Sequence, residues 1–434
     1  MKSFLERQFA LKAHGTTVGR EILGGIATFL TMAYIIVVNP LILQDAGMDF
    51  GAVFTATILA AVIGTSIMGL WANWPVAMAP GMGLNAFFTY GVVLGMGHSW
   101  EIALGAVFCS GVLFVILSAT KFRQWIIEAV PMSLRLGVGA GIGFFLAIIG
   151  LRNAGIVVDS PATLVQLGDL TSAPAALACL GFVIMLVLDA RKVPGAIIIG
   201  ILAITVIGLI TGDATWGGGS WAPPSLAPTF FALDIGGVFE LGLVLVVLTF
   251  LFVDFFDTAG TLTSVANMAD KVSEDGKVEN IGRAVFSDSI ATVAGSVLGT
   301  SNTTSYIESG AGIKEGGRTG LTAMTTAVLF LACLFLAPLA KTIPGWATAP
   351  ALVFVATFFA VGLKDLAWDD IREYGPAVLA ALVMPFTFSI ANGIAVGFIT
   401  YVVANALTGR SRDLHPAIII LAIVSILYFI RSVF

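Results

Sequence analysis

The sequence is short of charged residues. Asp, Glu, Lys and Arg make up 11% of its 434 residues, against about 25% in typical soluble proteins, and 58% of the residues are apolar. That balance excludes an ordinary water-soluble enzyme. The 21 Lys and Arg are outnumbered by 26 Asp and Glu, so the formal net charge of -5 provides no basic surface for nucleic acid.

Histidine and cysteine are also scarce, with three of each. The cysteines stand alone in apolar runs without C-x-x-C spacing, which argues against a zinc site or a disulfide framework. The histidines fall in predicted loops or tails, so no imidazole relay is expected at mid-membrane. Because the spans also carry no Ser-His-Asp arrangement, the sequence predicts neither an enzyme nor a bound metal or organic cofactor.

Apolar stretches of about 20 residues, the length that crosses a bilayer as a helix, recur along the chain. Seven lie between 21 and 210, a Gly, Trp and Pro-rich external connection follows at 211–237, and seven more lie between 238 and 408. Because seven is odd, the second set would enter the membrane from the opposite side, as in transporters with inverted repeats. The sequence therefore predicts an all-α polytopic membrane protein with 14 transmembrane segments in a 7+7 inverted repeat.

The third stretch of each set differs from its neighbours. Residues 76–90 read VAMAPGMGLNAFFTY, with a Pro-Gly break, and residues 301–313 read SNTTSYIESGAGI, which is too polar and too short for an ordinary spanning helix. Irregular backbone at membrane depth is tolerated only where protein or a water-filled cavity surrounds it. Both stretches are therefore predicted to be interrupted and to line a site.

The charges outside the spans indicate an orientation. With the N-terminus (1–20) placed in the cytoplasm, Lys and Arg fall almost entirely on the inner side, with Arg135 among them, and only Arg152 and Lys341 fall outside. Lys and Arg collect in cytoplasmic loops, so this asymmetry supports the span count. The apolar stretch in the tail (409–434) is expected to form an interfacial or peripheral helix.

Three acids lie within predicted spans, namely Asp254, Asp257 and Glu308. An acid at the centre of a span is costly, which makes it a candidate functional residue. Asp254 and Asp257 are three residues apart and share one face of a helix. Either could still have a purely structural role as an acceptor of hydrogen bonds. Asp288 lies near the inner edge of its stretch, where a capping or solvated role is expected.

The surroundings of these acids suggest different protonation states. Asp257 lies in an apolar stretch with no cation in its own span, so it is the carboxylate most readily protonated and the predicted proton carrier. Sodium would also use carboxylates, so Na+ remains the alternative ion. Glu308 follows the hydroxyls of Thr303, Thr304 and Ser305, and a helix starting near it would favour the ionised form.

The first interrupted stretch contributes Asn85, an amide that can both donate and accept hydrogen bonds. Phe87 follows two residues later and offers a flat apolar face for stacking on a ligand. An aromatic in a span more often fills the core or contacts lipid, so both interpretations of Phe87 stay open.

Four strings identify a family resemblance: APGMGLNAFF, VDFFDTAGTL, TSYIESGAGIKEGGRTGLTA and MPFTFSIANGIAVGF. They resemble the AzgA-like purine permeases, a branch of the nucleobase:cation symporter type 2 superfamily, over essentially the whole chain. The resemblance implies a core domain made of spans 1–4 and 8–11 and a gate domain made of spans 5–7 and 12–14. It also implies that short strands from spans 3 and 10 meet in the substrate site. The corresponding ranges are 21–119 and 238–339 for the core and 120–210 and 340–408 for the gate.

The resemblance assigns the essential family positions to Asn85, Asp257 and Glu308, with Asp254 as a neighbour. Thr304, one of the hydroxyls of the second interrupted stretch, is also expected to bind substrate. Tyr306-Ile307-Glu308-Ser309 parallels the Tyr-Gly-Glu-Asn of uracil permeases, so a backbone contact to substrate would fall at Ile307. This chain departs from that pattern because Ile stands where those proteins have Gly.

Together these features predict a proton-coupled symporter that imports purine nucleobases across an inner membrane by sliding its core against its gate. Hypoxanthine and guanine are favoured and adenine is the alternative. The gate domain is expected to supply a homodimer interface within the lipid bilayer, and no nucleic acid partner is expected. A sulfate-permease-like anion transporter or a channel is the alternative function; anion transport would call for an uncompensated positive site.

Overall fold

The computed structural model describes residues 2–120, 130–240, 243–273 and 277–433. The inner loop predicted to open the gate domain, residues 121–129, lies outside the described residues. Helices account for most of the described chain, as the long apolar stretches predict.

The helices and strands of the first half follow one another in this order: α1 (Lys2–Phe9), α2 (Val18–Met32), α3 (Ile35–Asp45), α4 (Phe50–Ile67), a π-helical turn (Met68–Ala72), β1 (Met78–Pro80), α5 (Met82–Ala86), a second π-helical segment (Phe87–Val93), α6 (Trp100–Ala119), α7 (Met132–Asn153), β2 (Val157–Ser160), β3 (Leu164–Leu167), α8 (Ala173–Ala190) and α9 (Ala196–Thr211).

The second half continues with α10 (Ile235–Glu240), α11 (Val244–Met268), α12 (Ile281–Leu298), β4 (Thr303–Ser305), α13 (Ser309–Lys314), α14 (Gly320–Ala332), a 3-10 turn (Cys333–Leu336), α15 (Ala337–Thr342), α16 (Gly345–Ala360), a 3-10 turn (Val361–Asp365), α17 (Ile371–Thr387), α18 (Ile390–Leu407), a 3-10 turn (Ser411–Asp413) and α19 (Pro416–Val433).

Ten helical stretches of the described residues are long and apolar enough to cross a membrane. Shorter apolar helices are found at Met82–Val93, Ala196–Thr211 and Pro416–Ile430. The protein is thus a multi-pass membrane protein. The count of 14 spans stays a prediction, partly because the interrupted stretches do not form continuous helices that length and composition alone would recognise.

Both interrupted stretches contain a short strand followed by a short helix, and the two strands pair with each other. β1 and β4 run antiparallel, with Met78 opposite Ser305 and Pro80 opposite Thr303. Backbone hydrogen bonds extend the pair, since Gly81 N donates to Asn302 O over 2.9 Å and Tyr306 N donates to Ala77 O over 3.0 Å. This pairing satisfies backbone groups that could not remain bare at membrane depth. It also joins the two halves of the chain.

The helices of the predicted gate ranges pack closely through small residues. α7 lies against α16 and α17, and α17 lies against α18. A Cβ added at Gly137 would lie 2.4 Å from the backbone oxygen of Ala377, so no larger residue fits that crossing. Small residues allow helix backbones in membranes to approach in this way.

Two features were not predicted from the sequence. β2 and β3 form an antiparallel hairpin between α7 and α8, with Val157 opposite Leu167. The first span breaks at residues 33–34, between α2 and α3, and Tyr34 occupies the break.

The C-terminal stretch forms α19, which packs on α18 and is fixed there by a 3.2 Å hydrogen bond from Tyr428 Oη to Asn392 Oδ1.

Candidate functional site

Glu308 lies immediately after the strand pair, at the position preceding α13. Its side chain is half-buried, and Oε1 accepts a 2.8 Å hydrogen bond from the hydroxyl of Tyr34. The carboxylate does not cap α13, so it is directed elsewhere. The predicted half-helix start near Glu308 is confirmed by α13, which begins at Ser309.

The break in the first span supplies the hydroxyl that holds the Glu308 carboxylate, and a residue of α2 lies close to the Glu308 backbone. Tyr34 is 1% exposed and donates to the carboxylate, while Thr31 Oγ1 lies 3.4 Å from the backbone oxygen of Glu308. Tyr34 was not among the predicted site residues. The available signal was a tyrosine hydroxyl within an apolar span, because a buried hydroxyl of this kind needs a hydrogen-bond partner.

Asp254 and Asp257 have different surroundings, although they lie within one turn of α11. Asp254 is 1% exposed, and its Oδ2 accepts hydrogen bonds from Thr292 Oγ1 over 2.8 Å and Asn302 Nδ2 over 3.0 Å. Asp257 is half-buried, and no group in the described part of the chain donates a hydrogen bond to its carboxylate. Asp254 is therefore tied into the core, and Asp257 is free to bind a proton or a ligand.

Asp288 does not have the capping or solvated role expected of it. The side chain is completely buried, and its Oδ1 accepts from the backbone N and Oγ of Ser305 over 2.7 and 2.6 Å. Its Oδ2 accepts from Thr258 Oγ1 over 2.7 Å. The expectation failed because distance along the chain from the inner edge does not tell which way a side chain faces. Asp288 holds β4 against α11.

Thr304 and Ile307 lie on either side of this arrangement. Thr304 is 1% exposed, and its hydroxyl is 3.0 Å from that of Thr258, with which it shares a hydrogen bond. Ile307 is 45% exposed, so its side chain borders open space next to Glu308. The two residues predicted from one motif therefore have opposite accessibility.

Asn85 and Phe87 are both completely buried in this conformation. Asn85 Nδ2 donates to Asn39 Oδ1 over 3.0 Å, and Asn39 in turn donates to Thr57 and Thr300. The ring of Phe87 packs 5.0 Å from that of Phe250, centroid to centroid. Phe87 thus fills the core here, and its stacking role stays a prediction.

The exposure and polarity of the residues of α11 change at Asp257. Towards its start, Val246, Phe250 and Val253 are at most 5% exposed. Towards its end, four small or polar residues are exposed: Gly260, Thr263, Ser264 and Asn267. Polar residues facing lipid would be unfavourable, so this part of the helix borders an aqueous space. Asp257 lies where the buried apolar part of α11 gives way to that space.

Arg135, which the charge pattern assigns to the inner side, lies within a helix and contacts a residue of a second helix. It is the fourth residue of α7, is half-buried, and its guanidinium carbon lies 5.8 Å from the centroid of the Phe256 ring. Phe256 precedes Asp257 on α11. A cation from the gate range therefore contacts the helix that carries the candidate site.

Comparison with known proteins identifies the family. Residues 19–396 match the profile of a family described as a permease family. The chain belongs to that permease family. It is 46% identical over 426 residues to the adenine permease AdeP of Escherichia coli strain K12, covering 98% of this chain and 96% of that protein. It is 45% identical over 444 residues to the guanine/hypoxanthine permease PbuG of Bacillus subtilis strain 168, covering 99% of both chains.

The resemblance to AzgA-like permeases is confirmed by these relatives, and the chain is a transporter rather than an enzyme. Solved structures show the fold. The transmembrane domain of the cyanobacterial bicarbonate transporter BicA aligns with a TM-score of 0.66 at 15% identity, covering 87% of this permease and 97% of that domain. SLC26A9 aligns with a TM-score of 0.67 at 11% identity, covering 90% of this permease and 66% of that chain.

Proposed function

We propose that this permease is a proton-coupled importer of purine nucleobases. Its relatives AdeP and PbuG are named as adenine and guanine/hypoxanthine permeases, and they align over nearly their full length. The observation that carries the proposal is the contrast between two half-buried carboxylates. Glu308 is held by Tyr34 beside the strand pair, and Asp257 has no hydrogen-bond donor in the described part of the chain.

Purine bases fit the chemistry of this pair. A neutral purine presents ring N–H donors and ring nitrogen acceptors in one plane. Tyr34 engages only Oε1 of Glu308, which leaves Oε2 to accept a ring N–H. A protonated Asp257 can donate to a ring acceptor. Hypoxanthine and guanine share a lactam edge that suits this arrangement, so they are the preferred substrates in our proposal, with adenine as the alternative.

Coupling to protons would take place at Asp257. Binding purine and proton together makes the loaded site less charged, which lowers the cost of moving it past the gate. One proton entering down about 100 mV supplies about 2.3 kcal/mol, or about 50-fold accumulation of the base. Na+ is the alternative coupling ion, and a requirement for Na+ would change the ion without displacing the residue.

Transport would proceed by sliding the core ranges 21–119 and 238–339 against the gate ranges 120–210 and 340–408, within a 14-span inverted repeat. The exposed polar end of α11 supports a conformation open on the side of Met268. With the N-terminus in the cytoplasm of an inner-membrane protein, that side is the cytoplasm. A homodimer through the gate domain completes the proposal.

Anion transport is disfavoured, although BicA and SLC26A9 share the fold, because likeness at 15% and 11% identity concerns the fold alone. Uptake of radiolabelled hypoxanthine, guanine, adenine, xanthine, uracil and sulfate into cells without their own permeases tests the proposal. We expect saturable purine uptake that a protonophore abolishes. Sulfate uptake, or uracil uptake without purine uptake, would overturn it.

A further inference from the structure

Arg135 occupies an unusual position for a cation. Among the described residues, its buried Nε has no hydrogen-bond partner, and no carboxylate oxygen lies within 4 Å of its guanidinium. Glu373 of α17 faces the same turn of α7, but it accepts hydrogen bonds from Ser133 and Tyr401. Within the part of the chain that the structure describes, Arg135 has the ring of Phe256 as a partner, with its guanidinium carbon 5.8 Å from the ring centroid. A buried donor left unpaired is costly, so a second conformation that gave it acceptors would be favoured relative to this one.

Suitable partners lie further along α11 on the face that Arg135 contacts. Phe256, Gly260, Thr263 and Asn267 are spaced by four, three and four residues, which aligns them along one side of the helix. The last three are exposed, and a Cβ added at Gly260 would meet nothing within 4 Å. The path from Phe256 towards Asn267 is therefore open.

The polar residues on this path have acceptors to offer. Thr263 Oγ1 donates to Ala259 O over 2.7 Å, so its lone pairs remain available. Asn267 Nδ2 donates to Thr263 O over 3.0 Å, which leaves its Oδ1 free to accept. A guanidinium that reached this pair would exchange a cation–π contact for hydrogen bonds.

We infer that Arg135 is a positioning residue of the transport cycle, moving along this face of α11 as core and gate slide past each other. Arg135 contacts Phe256 in the conformation described here and Thr263 and Asn267 in the opposite one. This inference rests on the sliding mechanism proposed above. The direction follows from geometry: moving the core outward brings the Met268 end of α11 level with Arg135. Seven residues separate Phe256 from Thr263, a rise of about 10 Å.

Paired cysteines test the movement directly. The background is the full chain with Cys109, Cys179 and Cys333 replaced by alanine. Arg135→Cys is combined with Phe256→Cys, Thr263→Cys or Ser264→Cys, and membranes are treated with a bifunctional thiol reagent about as long as an arginine side chain. Ser264 is the matched control, because it is exposed at nearly the depth of Thr263 but lies about 100° around the helix.

We expect rapid cross-linking at Phe256→Cys and Thr263→Cys and much slower cross-linking at Ser264→Cys. The Thr263 cross-link should stop purine exchange, and a reagent with a cleavable spacer should restore exchange on cleavage. Cross-linking at Phe256→Cys alone, in protein that still transports, would overturn the inference while leaving the proposed function intact. Equal cross-linking rates at Thr263→Cys and Ser264→Cys would also overturn the inference, because residue 135 would then not move along one face of α11.

Arg135→Met gives an independent measurement. Binding affinity for hypoxanthine should stay within about twofold, while exchange and net uptake both slow by about tenfold and Arg135→Lys recovers part of the rate. A purely structural role would instead lower protein yield and thermal stability along with binding. If the wild-type protein took up no purine, the proposed function would fail, whereas the cysteine pairs would still report whether Arg135 moves.

Discussion

Two carboxylates on one turn of α11 have different hydrogen-bonding surroundings. Asp254 accepts hydrogen bonds from Thr292 and Asn302, whereas Asp257 is half-buried with no donor in the described part of the chain. The sequence placed both acids in the membrane and favoured Asp257 as the proton carrier, but it could not reveal the donors to Asp254, which come from residues 38 and 48 positions away.

Asp257→Asn fixes the neutral form of the side chain and tests its role as the proton carrier. The loaded carrier should still cross in both directions, so exchange of external for internal purine should survive at least in part. Net accumulation should vanish, and uptake should lose its sensitivity to protonophores and to external pH. A variant that still concentrates purine and still responds to a protonophore would transfer the role to Glu308 or Asp254.

Glu308→Gln keeps the shape of the side chain but removes the charged acceptor. A hydrogen bond to a charged group contributes about 1.5 to 3 kcal/mol, so high-affinity purine binding should be lost while membrane insertion stays near normal. Binding of radiolabelled base to purified protein measures this. Wild-type affinity in the variant would remove Glu308 from the site.

Tyr34→Phe tests whether the break in the first span positions Glu308. Removing the hydroxyl frees the carboxylate, and purine affinity should fall by about tenfold, equivalent to the loss of one hydrogen bond. Tyr428→Phe is the matched control, since its hydroxyl bonds to Asn392 at the C-terminal helix. Equal affinities in the two variants would show that Tyr34 does not support the site.

Asn85→Ala tests a residue whose surroundings only the structure could supply. Asn85 donates to Asn39, and its Oδ1 has no partner among the described residues. Loss of an amide that can both donate and accept should penalise guanine, hypoxanthine and adenine unequally. Competition between the three bases in an uptake assay measures the change. Equal losses, or a collapse of protein yield, would favour a structural role.

At the scale of elements, the strand pair between β1 and β4 organises the site. The Pro-Gly break in residues 76–90 and the polar run in residues 301–313 predicted where helices stop. Asp288 was misjudged because its hydrogen bonds to Ser305 and Thr258 depend on how α12 packs on β4 and α11. The β2–β3 hairpin was missed because its residues were not separated from the surrounding connection.

Asp288→Ala should destabilise this element. It would leave the backbone N–H and the hydroxyl of Ser305 without their acceptor in a buried position, at a cost of about 1–3 kcal/mol for each group. Thermal unfolding in detergent should show a clearly lower midpoint. Asp159→Asn, on an exposed strand of the hairpin, should leave the midpoint nearly unchanged. A stable Asp288→Ala protein would mean that β4 is held by other contacts.

For the whole molecule, composition and apolar stretches sufficed to predict a multi-pass helical membrane protein, and the four sequence strings sufficed for the family. The contact between Arg135 and Phe256 could not be predicted, because the charge pattern places Arg135 at an inner edge without showing which helix it faces. The same limit applies to Tyr34, whose partner Glu308 lies 274 residues further along the chain. Contacts between the two halves of the chain could be identified only from the packing of the whole protein.

If a proton enters with each purine base, the movement of protons across the membrane can itself be measured. Purified protein is placed in liposomes that contain a pH-sensitive dye, without Na+ on either side, and hypoxanthine is added outside. We expect acidification of the interior that depends on hypoxanthine and is absent with Asp257→Asn. Hypoxanthine uptake without acidification, or uptake only after Na+ is added, would contradict it.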